Sequence, residues 1–229
     1  MKKHFYTFFL LIFFYSCNNH TVSSNSLNKE GNIYKYKGEL FNGEVLDMNK
    51  KGRVFLSFKC KQGKIEGEYL RYHINGNIKL KFNYHNGLKE GKSLRFYYNG
   101  GKKEIANYKN DILEGEYLRY HENSNIKLKL NYHNGLKEGK SLSFYYDGDK
   151  KEIVNYKNSE LEGEYLRFHE NGQLRSRLFY DNGIIADGKY TSYHDNGVIS
   201  KIANYKNGLL DGEYLSYHRN GKFSFYNFY

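Results

Sequence analysis

Residues 162–180 read EGEYLRFHENGQLRSRLFY, two strand-like runs around a short polar turn. In EYLRFH and in QLRSRLFY apolar side chains alternate with charged or polar ones, the period of two expected of a strand with one buried face. A loop of Asn171-Gly172 alone would set Leu166 opposite Arg177 and Phe168 opposite Arg175, mixing apolar and charged groups. The longer loop Glu170-Asn171-Gly172 sets Leu166 opposite Ser176 and Phe168 opposite Leu174, with Gly172 at positive φ in a type I turn that closes on a glycine bulge. The neighbouring copy makes the same choice, Leu70 meeting Leu80 and Tyr72 meeting Ile78. A slip of one residue turns every side chain to the other face, so the matched register is the expected one. Leu166, Phe168, Leu174, Leu178 and Tyr180 are thereby expected on one face, Arg175 and Arg177 on the other.

Outward from this stretch the unit recurs every 24 residues. Its first glycine falls at Gly43, Gly67, Gly91, Gly115, Gly139, Gly163, Gly188 and Gly212, with one step of 25 before Gly188. A second follows nine residues later, at Gly52, Gly76, Gly100, Gly148, Gly172, Gly197 and Gly221, where Ser124 alone departs. These glycines are read as structural turn positions. Self-similarity at such a period marks a repeat architecture, in which no unit buries its apolar face alone and stacking supplies the core. A longer period lies over the short one: residues 66–110 and 114–158 are nearly the same sequence, a duplicated block of two units. With 16 Phe, 25 Tyr and 23 Gly but no Pro and no Trp, strand formers and turn residues dominate. The expected fold is all-β, an elongated, twisted antiparallel sheet of stacked hairpins. Its apolar face is larger than a soluble monomer tolerates uncovered, and curling of the sheet, rather than a dimer, is expected to cover it.

The chain opens MKKHFYTFFLLIFFYSC, two lysines, an apolar run, then Ser16 and Cys17. The run is too short for a span of roughly 20 apolar residues and suits a secretory leader. Phe14-Tyr15-Ser16-Cys17 resembles the lipobox of bacterial lipoproteins, although Phe14 and Tyr15 are bulkier than its usual residues. That resemblance implies cleavage before Cys17, lipid attachment to its thiol and, since Asn18 is not the aspartate linked to inner-membrane retention, an outer-membrane address if the host has one. Residues 18–30, NNHTVSSNSLNKE, lack aromatics and read as a flexible polar tether. The repeat domain is then 31–229, a half unit carrying Tyr34 and Tyr36 followed by eight full units. Cys60 stands where other units place a tyrosine of the apolar face, and reads as a buried free thiol acting as a small hydrophobe.

The net charge of +11 invites a nucleic-acid or anionic-membrane reading. Lysines that alternate with glutamates along the strands favour a solvated charged face instead, and no nucleic-acid partner is expected. His73, His121, His169, His194 and His218 share one position before the turn. Two strands per unit separate equivalent positions by roughly 9–10 Å, whereas zinc needs each ligand atom within about 2.3 Å, so no metal is expected. The repeated Glu66-Gly67-Glu68, Glu114-Gly115-Glu116 and Glu162-Gly163-Glu164 read as inter-hairpin turn chemistry rather than paired catalytic carboxylates. No phosphate loop, nucleophile elbow or CxxC occurs, and neither enzymatic activity nor a cofactor is implied.

Units such as EGEYLRYHINGNIKLKFNYHNGLKEG resemble the MORN repeat variant of the bacterial YwqK family, whose members are often labelled antitoxins. The resemblance covers about residues 31–229 and implies β-hairpins stacked into a long antiparallel sheet. Its specific elements are the G-x-Y and Y-H-x-N-G patterns. For function, the expectation is a non-enzymatic envelope lipoprotein, a monomer, held to the membrane by its lipid and binding an unknown protein partner. An outward row of Tyr69, Tyr117, Tyr165, Tyr190 and Tyr214 beside Arg71, Arg119 and Arg167 would supply the contacts, since tyrosine and arginine dominate binding hot spots. The alternatives are an antitoxin or immunity role, implied only by the resemblance, and attachment to anionic lipid through a basic face.

Overall fold

The computed structural model describes residues 20–229. The leader and the expected lipid-attachment residue Cys17 lie outside the described residues. From Gly43–Met48 to Phe223–Phe228 the chain runs as a long twisted antiparallel sheet of stacked hairpins, as the repeat pattern predicts. In the unit quoted above, Gly163–Phe168 pairs with Leu174–Asp181. That second strand then pairs with the short Ile184–Ile185 and with Gly188–Tyr193 of the next unit. The tight turn Asn182-Gly183, with φ of 47° and 80°, joins the strand to Ile184–Ile185; these are the two positive φ values of a primed hairpin turn. The Glu-Gly-Glu element is therefore not the inter-hairpin turn expected from sequence. It is a bulge inside the following strand, where Gly163 takes φ of 73° and Glu162 N–H still reaches Asn155 O at 3.0 Å.

The loop between the two strands forms as expected. His169 N–H donates to Gln173 O at 2.9 Å, Gly172 N–H donates to His169 O at 3.0 Å, and Gly172 sits at φ of 81°. Phe168 faces Leu174. One step later the expected register fails, because Arg175 bulges out and Arg167 pairs with Ser176. Leu166 then meets Arg177 and not Ser176, and Tyr165 meets Leu178. The neighbouring copy behaves alike, with Tyr72 opposite Ile78 but Leu70 opposite Lys81 and not Leu80. A single extra residue reverses side-chain parity. The face holding Leu178 and Tyr180 consequently carries Tyr165 and Arg167, whereas Leu166, expected there, lies on the opposite face with Arg177. We call the tyrosine-bearing side the inner face.

Burial concentrates in one row along the middle of the inner face. Its cross-strand pairs are Val45 with Phe58, Tyr69 with Phe82, Ser93 with Ala106, Tyr117 with Leu130, Ser141 with Val154, Tyr165 with Leu178 and Tyr190 with Ala203. Every pair has at least one member that is half-buried or better. Through the duplicated block the row alternates large and small, so a tyrosine from one unit has room above the serine and small apolar residue of the unit before it. This in-plane filling gives a single-layer sheet its core without a second layer opposite.

The N-terminal end is closed differently. Residues 20–30, expected as a flexible tether, are folded: His20–Val22 pairs in parallel with Gly43–Met48, and Asn28–Glu30 pairs with Ile33–Tyr36. Ile33–Tyr36, expected as a stacked half unit, belongs to a separate small sheet with Asn28–Glu30 and Glu39–Leu40. That small sheet lies against the first units. Tyr34 N–H donates to Gly63 O at 2.6 Å and Gly63 N–H to Phe41 O at 2.8 Å. The approach demands glycine, since a Cβ at Gly63 would lie 2.9 Å from Tyr34 O. Phe41, Val45, Phe58, Cys60 and Ile65 form the densest core of the molecule beneath it, with Tyr34 and Tyr36 packed on top. A terminal repeat has no neighbour on one side, and this cap replaces the missing one.

Asp47 fastens the cap. Its buried carboxylate accepts from Ser23 Oγ at 2.7 Å and from Ser24 N–H at 2.8 Å, and Ser24 Oγ adds a third bond. Burial alone would raise its pKa, but the bonds from Ser24 and Ser23 outweigh burial and hold it below the usual aspartate value. Its contribution is thus present above the unfolded aspartate value of about 3.9 and is lost as pH falls through the lower folded value. Asp47→Ala should cost roughly 1.5–3 kcal/mol in urea unfolding, with hydrogen exchange rising first in residues 20–40. In the turn where serine replaces glycine, Ser124 is held at φ of 72°. Ser124→Gly should stabilise the protein by about 1 kcal/mol, read from the same unfolding curves; a loss of stability would show that this backbone is unstrained.

Candidate functional site

The tyrosine and arginine row expected to face outward lies on the inner face. Tyr69, Tyr117, Tyr165, Tyr190 and Tyr214 each pack on the aromatic at the end of their own hairpin, with ring centroids 5.8, 5.6, 5.8, 5.4 and 6.1 Å from Tyr84, Tyr132, Tyr180, Tyr205 and Tyr229. None is fully exposed, and Tyr190 retains 9% of its surface. Arg71, Arg119 and Arg167 stand two positions further along the same strands and so share that face. The bulge at Arg175 and its equivalents is the physical reason: alternation counted from the turn misses the extra residue. Between tyrosines and arginines sit carboxylates. Tyr117 Oη donates to Glu104 Oε2 at 2.8 Å and Tyr165 Oη to Glu152 Oε1 at 3.1 Å. Arg95 Nε lies 3.1 Å from Glu104 and Arg167 Nε 3.2 Å from Glu152. Lys89 and Lys137 add cations over Tyr108 and Tyr156, at 5.1 and 4.8 Å from the ring centres.

A model of the MORN repeat variant matches residues 65–86, 89–110, 113–134, 137–158, 161–182 and 186–207, more than half of the chain. The chain belongs to this family. No curated protein matches its sequence. Among solved structures, the crystal structures of TcdB2-TccC3-Cdc42 and of TcdB2-TccC3 are 14% identical over 76% of this chain. Their TM-scores are 0.19 and 0.18, and the chain spans 14% and 15% of the length of those chains, a likeness that carries no argument.

Two side-chain ladders run along the sheet, one tying each MORN unit to the next and one closing each unit on itself, and they take up the pre-turn histidines and the glutamates. At the position before the turn, His73 Nε2–H donates to Phe96 O at 3.2 Å, His121 to Phe144 O at 3.1 Å, His169 to Tyr193 O at 2.9 Å and His194 to Tyr217 O at 2.9 Å. Tyr97 and Tyr145 fill the rungs between, their hydroxyls reaching Tyr120 O at 2.6 Å and Phe168 O at 2.8 Å. A carbonyl accepts only, so Nε2 carries the proton in every histidine rung. At the other edge, Glu66, Glu90, Glu114, Glu138 and Glu162 accept from the Asn86, Asn110, Asn134, Asn158 and Asn182 amides of the tight turn 20 residues ahead. Asp187 does the same for Asn207. The Asn86 amide, and after it His85, holds Glu66 below the usual glutamate range; Asn134 and His133 do the same for Glu114. The second glutamate of each pair points the other way, Glu116 to Lys129 and Glu164 to Arg177. The pair is therefore split between two structural tasks.

Among the described residues no three His, Cys, Asp or Glu side chains are grouped as a metal would need. Cys60 is buried beneath the cap and burial lifts its thiol to about 12, which leaves no thiolate at neutral pH. The tyrosines define the pH range of the MORN sheet. Burial, with the neighbouring Tyr69, lifts Tyr84 to about 12, and burial, with Glu152, lifts Tyr165 to about 12. A folded value above the ordinary tyrosine value of about 10 means that the stabilisation is complete below that value and is lost as pH rises through the folded one. Absorbance at 295 nm should show a late group of phenols ionising near pH 12 together with loss of the β-sheet dichroism. Ionisation of all tyrosines in one step near pH 10, with the sheet intact, would contradict their burial.

Proposed function

We propose that this protein is a membrane-held repeat scaffold of the cell envelope that binds another protein across the inner face of its sheet. The observation that carries the reading is the uneven cover of that face. The cap of residues 28–40 packs on Phe58 through Tyr34, over the cluster that Tyr69 and Tyr84 also join at that end, whereas among the described residues Tyr117, Tyr165, Tyr190 and Tyr214 belong to no such cluster. There Tyr117, Tyr165 and Tyr214 are half-buried, and Tyr117 and Tyr165 stand beside Arg119 and Arg167, the residue types that carry most binding energy. On the opposite face three cations are met by carboxylates across the strands, Lys81 by Glu68, Lys129 by Glu116 and Arg177 by Glu164, which lowers its net charge. The same pairing weighs against attachment to anionic lipid through a basic face. A YwqK-type antitoxin would be a special case of the proposal, its partner being a toxin.

The anchor rests on the leader and Cys17. With residues 20–30 folded into the cap, only Asn18 and Asn19 separate a lipidated cysteine from the first strand. That spacing, at most about 3.6 Å per residue, would hold the start of the first strand within roughly 10 Å of the bilayer surface. Cys17→Ala should move the chain from the detergent to the aqueous phase on phase separation and leave its circular dichroism unchanged; membrane partition equal to the parent would remove the lipid anchor. A photo-crosslinking residue at Arg167 should give a discrete adduct in host membranes, and the same residue at Arg177 none. Equal labelling from the two positions would rule out the inner face as the binding surface.

A further inference from the structure

The duplicated block offers an internal control, because the same inner-face site occurs twice, 48 residues apart, with one decisive difference. In the first copy Arg95 stands directly opposite Glu104. Its guanidinium lies 3.1 Å from Glu104 Oε1 and 5.8 Å from the centre of the Phe82 ring, while Tyr117 Oη takes Glu104 Oε2. In the second copy Ser143 stands opposite Glu152, in place of the arginine. A cavity of about 140 Å³ opens there, lined by Ser141, Ser143, Glu152, Val154, Tyr156 and Tyr165 among others. Two polar atoms in it are left over. The Ser143 hydroxyl is buried without a hydrogen-bond partner. Arg167 and the Tyr165 hydroxyl both engage Oε1 of Glu152, so Oε2, which Tyr117 satisfies in the first copy, is bonded to none of the described residues.

We propose that the Ser143–Glu152 cavity is a binding site for a guanidinium group supplied from outside the fold, either by a small molecule or by an arginine side chain of a polypeptide. The first copy shows what the site accepts when the arginine is built in: a planar cation against the carboxylate, packed among apolar and aromatic side chains. An incoming guanidinium would donate to Glu152 Oε2, and to Ser143 Oγ once a rotamer change turns that buried hydroxyl to the cavity, with the Tyr156 and Tyr165 rings as walls. A carboxylate with only 26% of its side-chain surface exposed strengthens such a bond relative to one in open solvent. Two features keep the affinity modest. Arg167 already neutralises part of Glu152, and the ring beneath Arg95 is replaced by Leu130 in the second copy. A dissociation constant on the order of 1 mM is expected for a single guanidinium. The site lies on the face assigned above to a protein partner but does not depend on that assignment, since a free small molecule would fill it equally well.

The test is an NMR titration of the 15N-labelled whole chain with methylguanidinium and with N-acetylarginine amide, the neutral isostere N-acetylcitrulline amide serving as control. Both cations should shift the amides of Ser143, Glu152 and Tyr165 saturably, and the citrulline compound should not. Tighter binding of the capped arginine would point to a polypeptide source, equal binding to a small molecule. Ser143→Arg rebuilds the first copy and should abolish the shifts while raising the thermal midpoint; Glu152→Gln should weaken binding at least roughly tenfold. Absence of saturable shifts in the parent, equal shifts with citrulline, or undiminished binding by the correctly folded Ser143→Arg chain would each overturn the proposal.

Discussion

A sheet one layer thick has no opposite layer to bury its apolar side, so neighbours in the same plane must do it. Here the tyrosine of one unit leans toward the unit before it, as the Tyr117 bond to Glu104 and the Tyr165 bond to Glu152 record. The unit before it offers Ser93 with Ala106, or Ser141 with Val154, which are small enough to leave room. The alternation of large and small matches the two-unit length of the copied block; beyond it Tyr165, Tyr190 and Tyr214 stand in consecutive units, Tyr190 against the small Ala203. Each tyrosine also meets a ring at the end of its own hairpin, a contact contributing about 0.5–1.5 kcal/mol beyond the area it buries.

The polar ladders solve the matching problem at the two edges. Strand-end carbonyls at the seam between units and amides of each unit's own tight turn would otherwise be left to water. The histidine or tyrosine rung takes one carbonyl per unit, and the glutamate rung takes one amide. The histidine or tyrosine rung reaches into the next unit and reports on unit-to-unit spacing, whereas the glutamate rung stays within one unit and reports on closure of its hairpin. A residue that looks catalytic in isolation, such as His121, acquires its structural meaning only beside the next unit, and Glu114 acquires its own at the far end of its hairpin.

Period, strands and loop were legible in the sequence because each depends on residues within one unit. Gly172 at positive φ and the Phe168–Leu174 pair follow from local turn chemistry. The faces were not legible. Arg175 leaves the ladder without any glycine or proline to announce it, and one silent residue was enough to exchange Tyr165 for Leu166 on the packed side. The cap escaped for another reason. Residues 20–30 are polar and short of aromatics, the composition of a linker, yet Ser23 and Ser24 are fixed by a single buried carboxylate, Asp47, more than 20 residues away in a different element. One signal could have found it: Asp47 occupies the position that Arg71, Arg95, Arg119 and Arg167 hold in other units and serine holds in the rest, and an acid in a column of arginines and serines calls for a partner from outside the repeat.

Departures from the repeat are consequently the most informative positions in a chain of this kind. Where a unit keeps the common residue, its neighbours explain it. Asp47 departs and the cap is its partner, and Gly63 lies beneath the same cap with no space for a side chain. Ser124 departs at a turn, and the cost is a backbone held in the left-handed region. Ser143 departs on the inner face, and in its case the fold supplies no partner at all: a hydroxyl stays unbonded where the other copy holds a guanidinium. Because each unit touches only its neighbours, such a substitution is contained within one stretch of sheet and can persist without disturbing the rest. Repetition thus builds the rod, and the few places where repetition fails give particular units something to hold.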